Sequence, residues 1–219
     1  MKLLITGATG MVGSEFLRQA LLHDAIGQVT ALIRRPLGMQ HEKLRSIIHH
    51  DFLNYASLAE IFRQHTACVW CLGIAQSLVS KQEYEVITYD YTLAAARAML
   101  QENPAMTFLF VSGAGADRTA TSRITFARVK GKTENALLQL PFQKLIIPRP
   151  GGIYPVQMPE NYPFSYNLFR MSYPLVKRIF PNQVITSVEL ANVLLYLLIN
   201  GSEKVILENF ELRQLLKKI

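Results

Sequence analysis

Short apolar runs alternate with amphipathic segments from the first residues onward. Residues 2–5 form a compact apolar run, as in a strand buried on both faces. In the segment that follows, Val12, Phe16, Leu17, Ala20 and Leu21 share one side of a 3.6-residue period, opposite Ser14, Glu15, Arg18 and Gln19. A second strand is predicted at 28–33, a third around 46–50, a fourth at 67–74, a fifth at 106–111 and a sixth at 144–148. Between them, 57–64 reads as a short helix with Ser57 and Glu60 at capping-box spacing. Residues 81–102 read as a long helix closing at Asn103-Pro104, and 126–140 as another that stops at Pro141. Thr186 and Glu189 form a capping box for an apolar helix over 188–199. A strand at 204–207 and a helix at 208–218 complete the chain. This alternation predicts an α/β fold with a doubly wound parallel sheet and a small C-terminal appendage.

The chain has 219 residues, half of them hydrophobic, which suits one domain over 1–219 with 153–219 adding a small substrate-side or lid region. The apolar run 193–199 is too short to span a bilayer, and the apolar start stops at Gly7 before a signal-peptide core forms. A soluble cytoplasmic protein is therefore expected. The formal charge is +7, but the basic residues are dispersed in pairs such as Lys177-Arg178 and Lys217-Lys218, which argues against a nucleic-acid partner. Cys68-Val69-Trp70-Cys71 matches CxxC. On a buried strand, however, residues three apart point to opposite faces, so both cysteines read as core thiols. His49 and His50 diverge for the same reason, and no metal site is expected.

The candidate chemistry gathers at the strand ends. Thr6-Gly7-Ala8-Thr9-Gly10-Met11-Val12-Gly13 joins the first strand to the first helix through three glycines spaced GxxGxxG. A glycine turn there brings backbone N–H groups and the positive helix end against a phosphate, and strand, loop and helix stand in the order such a cradle requires. No Gly-Lys-Ser/Thr follows, which excludes a Walker-type loop. The second strand ends in Arg34-Arg35, where an acidic residue would accept from a ribose 2′-hydroxyl and arginine suits a 2′-phosphate, so NADP(H) is favoured, with NAD(H) as the alternative. Asp51 and Phe52 are expected beside the adenine, and Leu72-Gly73 beside the dinucleotide. Ser112 ends the fifth strand and Pro150-Gly151 the sixth. The Pro- and aromatic-rich stretch 154–180 is expected to cover the cleft.

Taken together, these strand ends resemble the atypical short-chain dehydrogenase/reductase superfamily, in particular its small NAD(P)H-binding members. The likeness extends over nearly the whole chain and implies a Rossmann-like doubly wound parallel sheet. TGATGMVG resembles the family's cofactor loop, implying contacts from Gly7, Thr9, Gly10, Met11, Val12 and Gly13. Cys71-Leu72-Gly73, Arg128-Val129-Lys130-Gly131 and Arg149-Pro150-Gly151 look most like the Tat-interacting oxidoreductase group and its bacterial relatives. The family's Ser-Tyr-Lys constellation maps onto Ser112, which would orient a carbonyl, and Lys130, which would bind the nicotinamide ribose. Phe126 stands at the tyrosine position, and a phenyl ring cannot transfer the proton that accompanies hydride. The resemblance leaves three readings. One is an NADP-dependent oxidoreductase with another proton donor, acting on a small carbonyl, quinone or flavin-like acceptor. Another is a non-catalytic NADP(H) binder that senses redox state or scaffolds a protein partner. The weakest is a nucleotide-sugar epimerase or dehydratase, for which the chain beyond Ile153 offers little length.

Overall fold

The apolar N-terminal run forms β1 (Lys2–Thr6), in which Leu3, Leu4 and Ile5 are fully buried. A strand apolar on both faces needs cover on both, and right-handed crossovers supply it. The computed structural model describes residues 1–156, 173 and 176–219. Further strands among them are β2 (Gln28–Ile33), β3 (Leu44–Ile48), β4 (Ala67–Trp70), β5 (Thr107–Phe110), β6 (Lys144–Arg149), β7 (Gly152–Tyr154), β8 (Val184–Thr186) and β9 (Ile206–Glu208). Seven of them form one sheet in the order β3-β2-β1-β4-β5-β6-β9, every pair parallel, while β7 and β8 pair separately. The order reverses between β1 and β4, and such a switch point opens a ligand crevice at the carboxyl ends of the strands.

Helices close both faces. On one side α1 (Met11–Leu22) packs with α6 (Ser187–Asn200) over Leu3, Ile5, Val29 and Ala31. The opposite side is covered by α2 (Ala59–Gln64), α4 (Tyr91–Glu102) and α5 (Thr125–Leu138), over Leu4, Cys68, Trp70, Phe108 and Phe110. Helix α3 (Lys81–Glu85) leads into α4 through a π-helical turn, Val86–Asp90, and α7 (Asn209–Leu215) follows β9. The long helix expected over 81–102 thus forms with one wide turn in it. The turn leaves the Thr88 carbonyl accepting from the Thr92 hydroxyl at 2.8 Å, and Thr133 of α5 reaches the same oxygen.

Several local expectations change. Glu15 and Gln19, on the polar side of α1, are buried, because α6 covers that side. Glu15 accepts from Arg18 and Gln19, and Gln19 donates to the Val188 carbonyl. Ser57 caps nothing: 56–58 forms a 3₁₀ turn, α2 starts at Ala59 without a side-chain cap, and Glu60 bonds forward to Arg63 and Gln64. The strand expected at 46–50 sits two residues earlier, the one expected at 67–74 ends at Trp70 where the chain turns onto the glycine loop, and the one expected at 204–207 runs Ile206–Glu208. By contrast, Thr186 and Glu189 close both bonds of the capping box. Cys68 packs with the α2/α4/α5 core and Cys71, just past the end of β4, against the α1/α6 core, so the two thiols lie on opposite sides of the sheet. Burial pushes the Cys71 thiol up to about 12 and the Cys68 thiol well above its usual range, as befits core thiols. Most of the expected cleft cover, at 157–172, 174 and 175, lies outside the described residues.

Thr186→Ala removes a formed cap and is expected to lower unfolding free energy by about 1 kcal/mol. Ser57→Ala, which removes none, should stay within about 0.5 kcal/mol of wild type in the same urea titration.

Candidate functional site

The crevice at the switch point is built from backbone. Gly7 has a φ of 67°, and a side chain there would meet the Cys71 carbonyl at 2.4 Å. A Cβ on Gly13 would lie 2.1 Å from the Gly7 carbonyl. The loop after β1 is thus pressed between the start of α1 and the end of β4, and only glycine fits at either contact. The Gly10 N–H donates to the Gly7 carbonyl at 2.9 Å and fixes the turn. Helix α1 has no side-chain cap and no acidic residue in its first turn, so its N-terminal N–H groups and positive dipole end are left for an anion.

A cleft of about 460 Å³ opens beside this loop. It is lined by Gly7, Thr9, Gly10, Arg34, Arg35, Phe52, Leu72 and Gly73 from the expected set, together with Ala8, Leu32, Ile33, Pro36 and Cys71. Arg34 and Arg35 are exposed at the end of β2. Phe52 is buried in an aromatic cluster with His49, Tyr55 and Tyr91. Met11, Val12 and Gly13 form the first turn of α1 behind the loop, outside the lining. Asp51 also stands outside it, exposed, with its carboxylate accepting from the Leu53 N–H at 3.0 Å.

The remaining expected residues collect at the ends of β5 and β6. Loop 112–114 is tied to the end of β6: the Ser112 N–H donates to the Pro148 carbonyl and the Ala114 N–H to the Pro150 carbonyl. Gly151 donates to the Asn209 side chain at 2.8 Å, which anchors this turn on α7. Helix α5 presents Phe126, Lys130 and Glu134 at four-residue spacing, one above another on a single face. The buried Lys130 ammonium donates to the Val111 carbonyl at 2.9 Å and lies 4.6 Å from the centre of the Phe110 ring. Burial lowers its pKa to about 8, against smaller opposing pulls from Glu134 and Cys71. The tip of the Phe126 ring lies against Gly113, where a Cβ would meet Cζ at 2.5 Å. Its backbone N–H donates to Gln76 Oε1 at 2.8 Å.

Glu134 was not foreseen from the sequence. It is fully buried, accepts the Ser112 hydroxyl at 2.5 Å and is gripped by the Arg149 guanidinium, which also reaches Glu208 at 2.7 Å. Its four-residue step from Lys130 was the available signal. The partnership with Arg149, fifteen residues away on β6, was not visible in any local pattern. Among the described residues no cluster of His, Cys, Asp and Glu could hold a metal, and no helix is long and apolar enough to cross a membrane.

An open parallel sheet with a glycine loop at its switch point is the architecture of α/β proteins that bind nucleotide cofactors. The chain belongs to the NAD(P)H-binding family, whose model matches residues 7–138. It is 32% identical over 70% of its length to the leucinostatins biosynthesis cluster protein T of Purpureocillium lilacinum, and covers 58% of that protein. It is 29% identical over 72% of its length to the mitochondrial protein fmp52-2 of Neosartorya fischeri, covering 68% of it. It is 28% identical over 67% to the rat (Rattus norvegicus) protein HTATIP2, covering 60% of it. The chain therefore spans about three fifths of two of these relatives. Among solved structures, alfalfa (Medicago sativa) vestitone reductase superposes with a TM-score of 0.68 at 17% identity, over 94% of this chain and 75% of that one, which shows a shared fold. The expected likeness to small NAD(P)H-binding proteins, HTATIP2 among them, and the Rossmann-like sheet are both borne out.

A lysine whose folded pKa lies below its ordinary 10.5 holds fewer protons than the unfolded chain between about pH 8 and 10.5, so its contribution to stability rises with pH across that window. Lys130→Met removes this contribution. The melting temperature of wild type minus that of the variant is therefore expected to become more positive from pH 8 to 10.

Proposed function

We propose that this chain binds NADP(H) along the carboxyl edge of its sheet and passes hydride to a small acceptor without a tyrosine proton donor. The observation that carries the cofactor half is the presence of two exposed arginines in the same cleft as the glycine cradle. The cradle and the α1 N-terminus would take the pyrophosphate, Arg34 and Arg35 the 2′-phosphate, and Phe52 the adenine. Farther along the same edge, Lys130 would hold the nicotinamide ribose and Pro150-Gly151 would flank the ring. When bound, the cofactor supplies hydride; the protein's part is to orient it and to exclude water. The single-domain reading over 1–219, with 153–219 on the substrate side, belongs to this proposal, as does a cytoplasmic location. Against that location stands the word mitochondrial in the name of the fmp52-2 relative.

Phe126 bears on the acceptor. The family resemblance puts a proton-donating hydroxyl at this position, whereas here a ring tip rests on Gly113. Quinones and flavin-like rings accept hydride and take their proton from solvent, so they suit such a site better than a simple ketone. The same observation favours a second reading, a non-catalytic NADP(H) binder that reports redox state or scaffolds a protein partner.

Arg34→Ala and Arg35→Ala are each expected to weaken NADPH binding about tenfold or more while leaving NADH nearly unchanged, as charge-assisted phosphate contacts of this kind require. Equal affinities of the native protein for the two cofactors by calorimetry would sink the NADP preference. NADPH oxidation with quinones or flavins by the native protein supports the oxidoreductase. Carbonyl reduction seen only in Phe126→Tyr, with no turnover in the native protein, would identify the binder.

A further inference from the structure

The polarity of the Ser112 hydroxyl is fixed by its partners. Glu134 has no exposed surface, and its two carboxylate oxygens face the Arg149 guanidinium, with the Arg149 Nε bond at 2.9 Å. Guanidinium has five donors and no acceptor, so a carboxylate paired with it is ionised and can only accept. Ser112 Oγ lies 2.5 Å from Oε1 of that carboxylate, within the short range of a charge-assisted O–H···O⁻ bond. The serine hydrogen is therefore committed inward, and the oxygen has only lone pairs left to offer. A serine meant to polarise a ligand carbonyl must instead donate outward. With Phe126 in the neighbouring position, the hydroxyl group that could otherwise have assisted there is also absent.

We infer that Glu134 is a positioning residue that sets Ser112 as a hydrogen-bond acceptor, so that the ligand group lodged beside Ser112 is a hydroxyl or N–H and not a bare carbonyl oxygen. The inference rests on the proposed cofactor site and narrows the acceptor proposed there to one that turns an N–H or O–H toward Ser112, as a flavin-like ring can and a simple quinone, whose oxygens only accept, cannot. Arg149 and Glu208 brace the carboxylate from the far side, at the ends of β6 and β9. The anchor therefore belongs to the sheet and not to the ligand.

A matched pair tests the sign. 1-Indanol and 1-indanone have the same bicyclic frame and differ in whether the oxygen carries a hydrogen. Both are titrated calorimetrically into the protein saturated with NADP⁺, whose own binding is measured first. Wild type is expected to bind the alcohol about tenfold more tightly than the ketone, and Ser112→Ala should bring the two affinities together. In Glu134→Gln the carboxylate charge is lost and the serine can turn outward, so the ratio should fall toward one or invert. General destabilisation lowers both affinities together and leaves the ratio unmoved. A preference for the ketone, equal affinities in wild type, an absence of binding by either compound, or a tenfold ratio that survives Ser112→Ala would overturn the inference. Failure of NADP⁺ itself to bind would overturn the proposed cofactor site instead.

Discussion

Three pieces of backbone meet with no space for a single methyl group: the loop after β1, the first turn of α1 and the end of β4. Gly7 touches the Cys71 carbonyl side and Gly13 touches Gly7, so the helix is seated directly on the loop that precedes it. This contact aims the N-terminus of α1 at the crevice, and it fixes how close the β4 end comes to the same point. The positions of Arg34 and Arg35, one strand over, and of Leu72 and Gly73 follow from it through the parallel register of β2, β1 and β4. Helix dipole, orphan N–H groups and two arginines then border one cavity, an arrangement suited to an anionic ligand.

A second constraint operates at the other end of the crevice, and it is ionic. Burying Glu134 completely is costly unless its charge is paired and its lone pairs are satisfied, and Arg149 with Ser112 does both. The pairing joins α5 to β6, and Glu208 extends it to β9 at the sheet edge. Lys130, one turn before Glu134, is held by the Val111 carbonyl and by the Phe110 ring beneath it. The polar groups on this side are thus oriented before any ligand arrives. The same bonding limits them, since a hydroxyl already donating to a carboxylate has no proton to give a ligand.

The cleft beside β1 was legible because local rules decide its lining. Glycine spacing, an apolar run before it and an amphipathic helix after it need only neighbouring residues, and the cleft lining matches them at Gly7, Thr9, Gly10, Leu72 and Gly73. The thiols were legible too, since strand alternation alone separates Cys68 from Cys71. Local pattern failed where a distant element supplied the partner. Glu15 and Gln19 look solvent-facing until α6 covers them, and Ser57 has the right spacing for a cap on a helix that starts elsewhere.

The sequence by itself determined the alternation of strands and helices, the glycine loop between β1 and α1 and the arginine-tipped second strand. Each is set by side-chain chemistry or by a period of two or 3.6 residues, and so is readable within a short window. The tertiary structure alone decided what Ser112 can do. Its hydrogen goes to a carboxylate twenty-two residues away, which is paired with an arginine fifteen residues farther on. No window short enough to carry a periodic signal contains all three, and only the parallel packing of β5, α5 and β6 brings them within hydrogen-bonding distance.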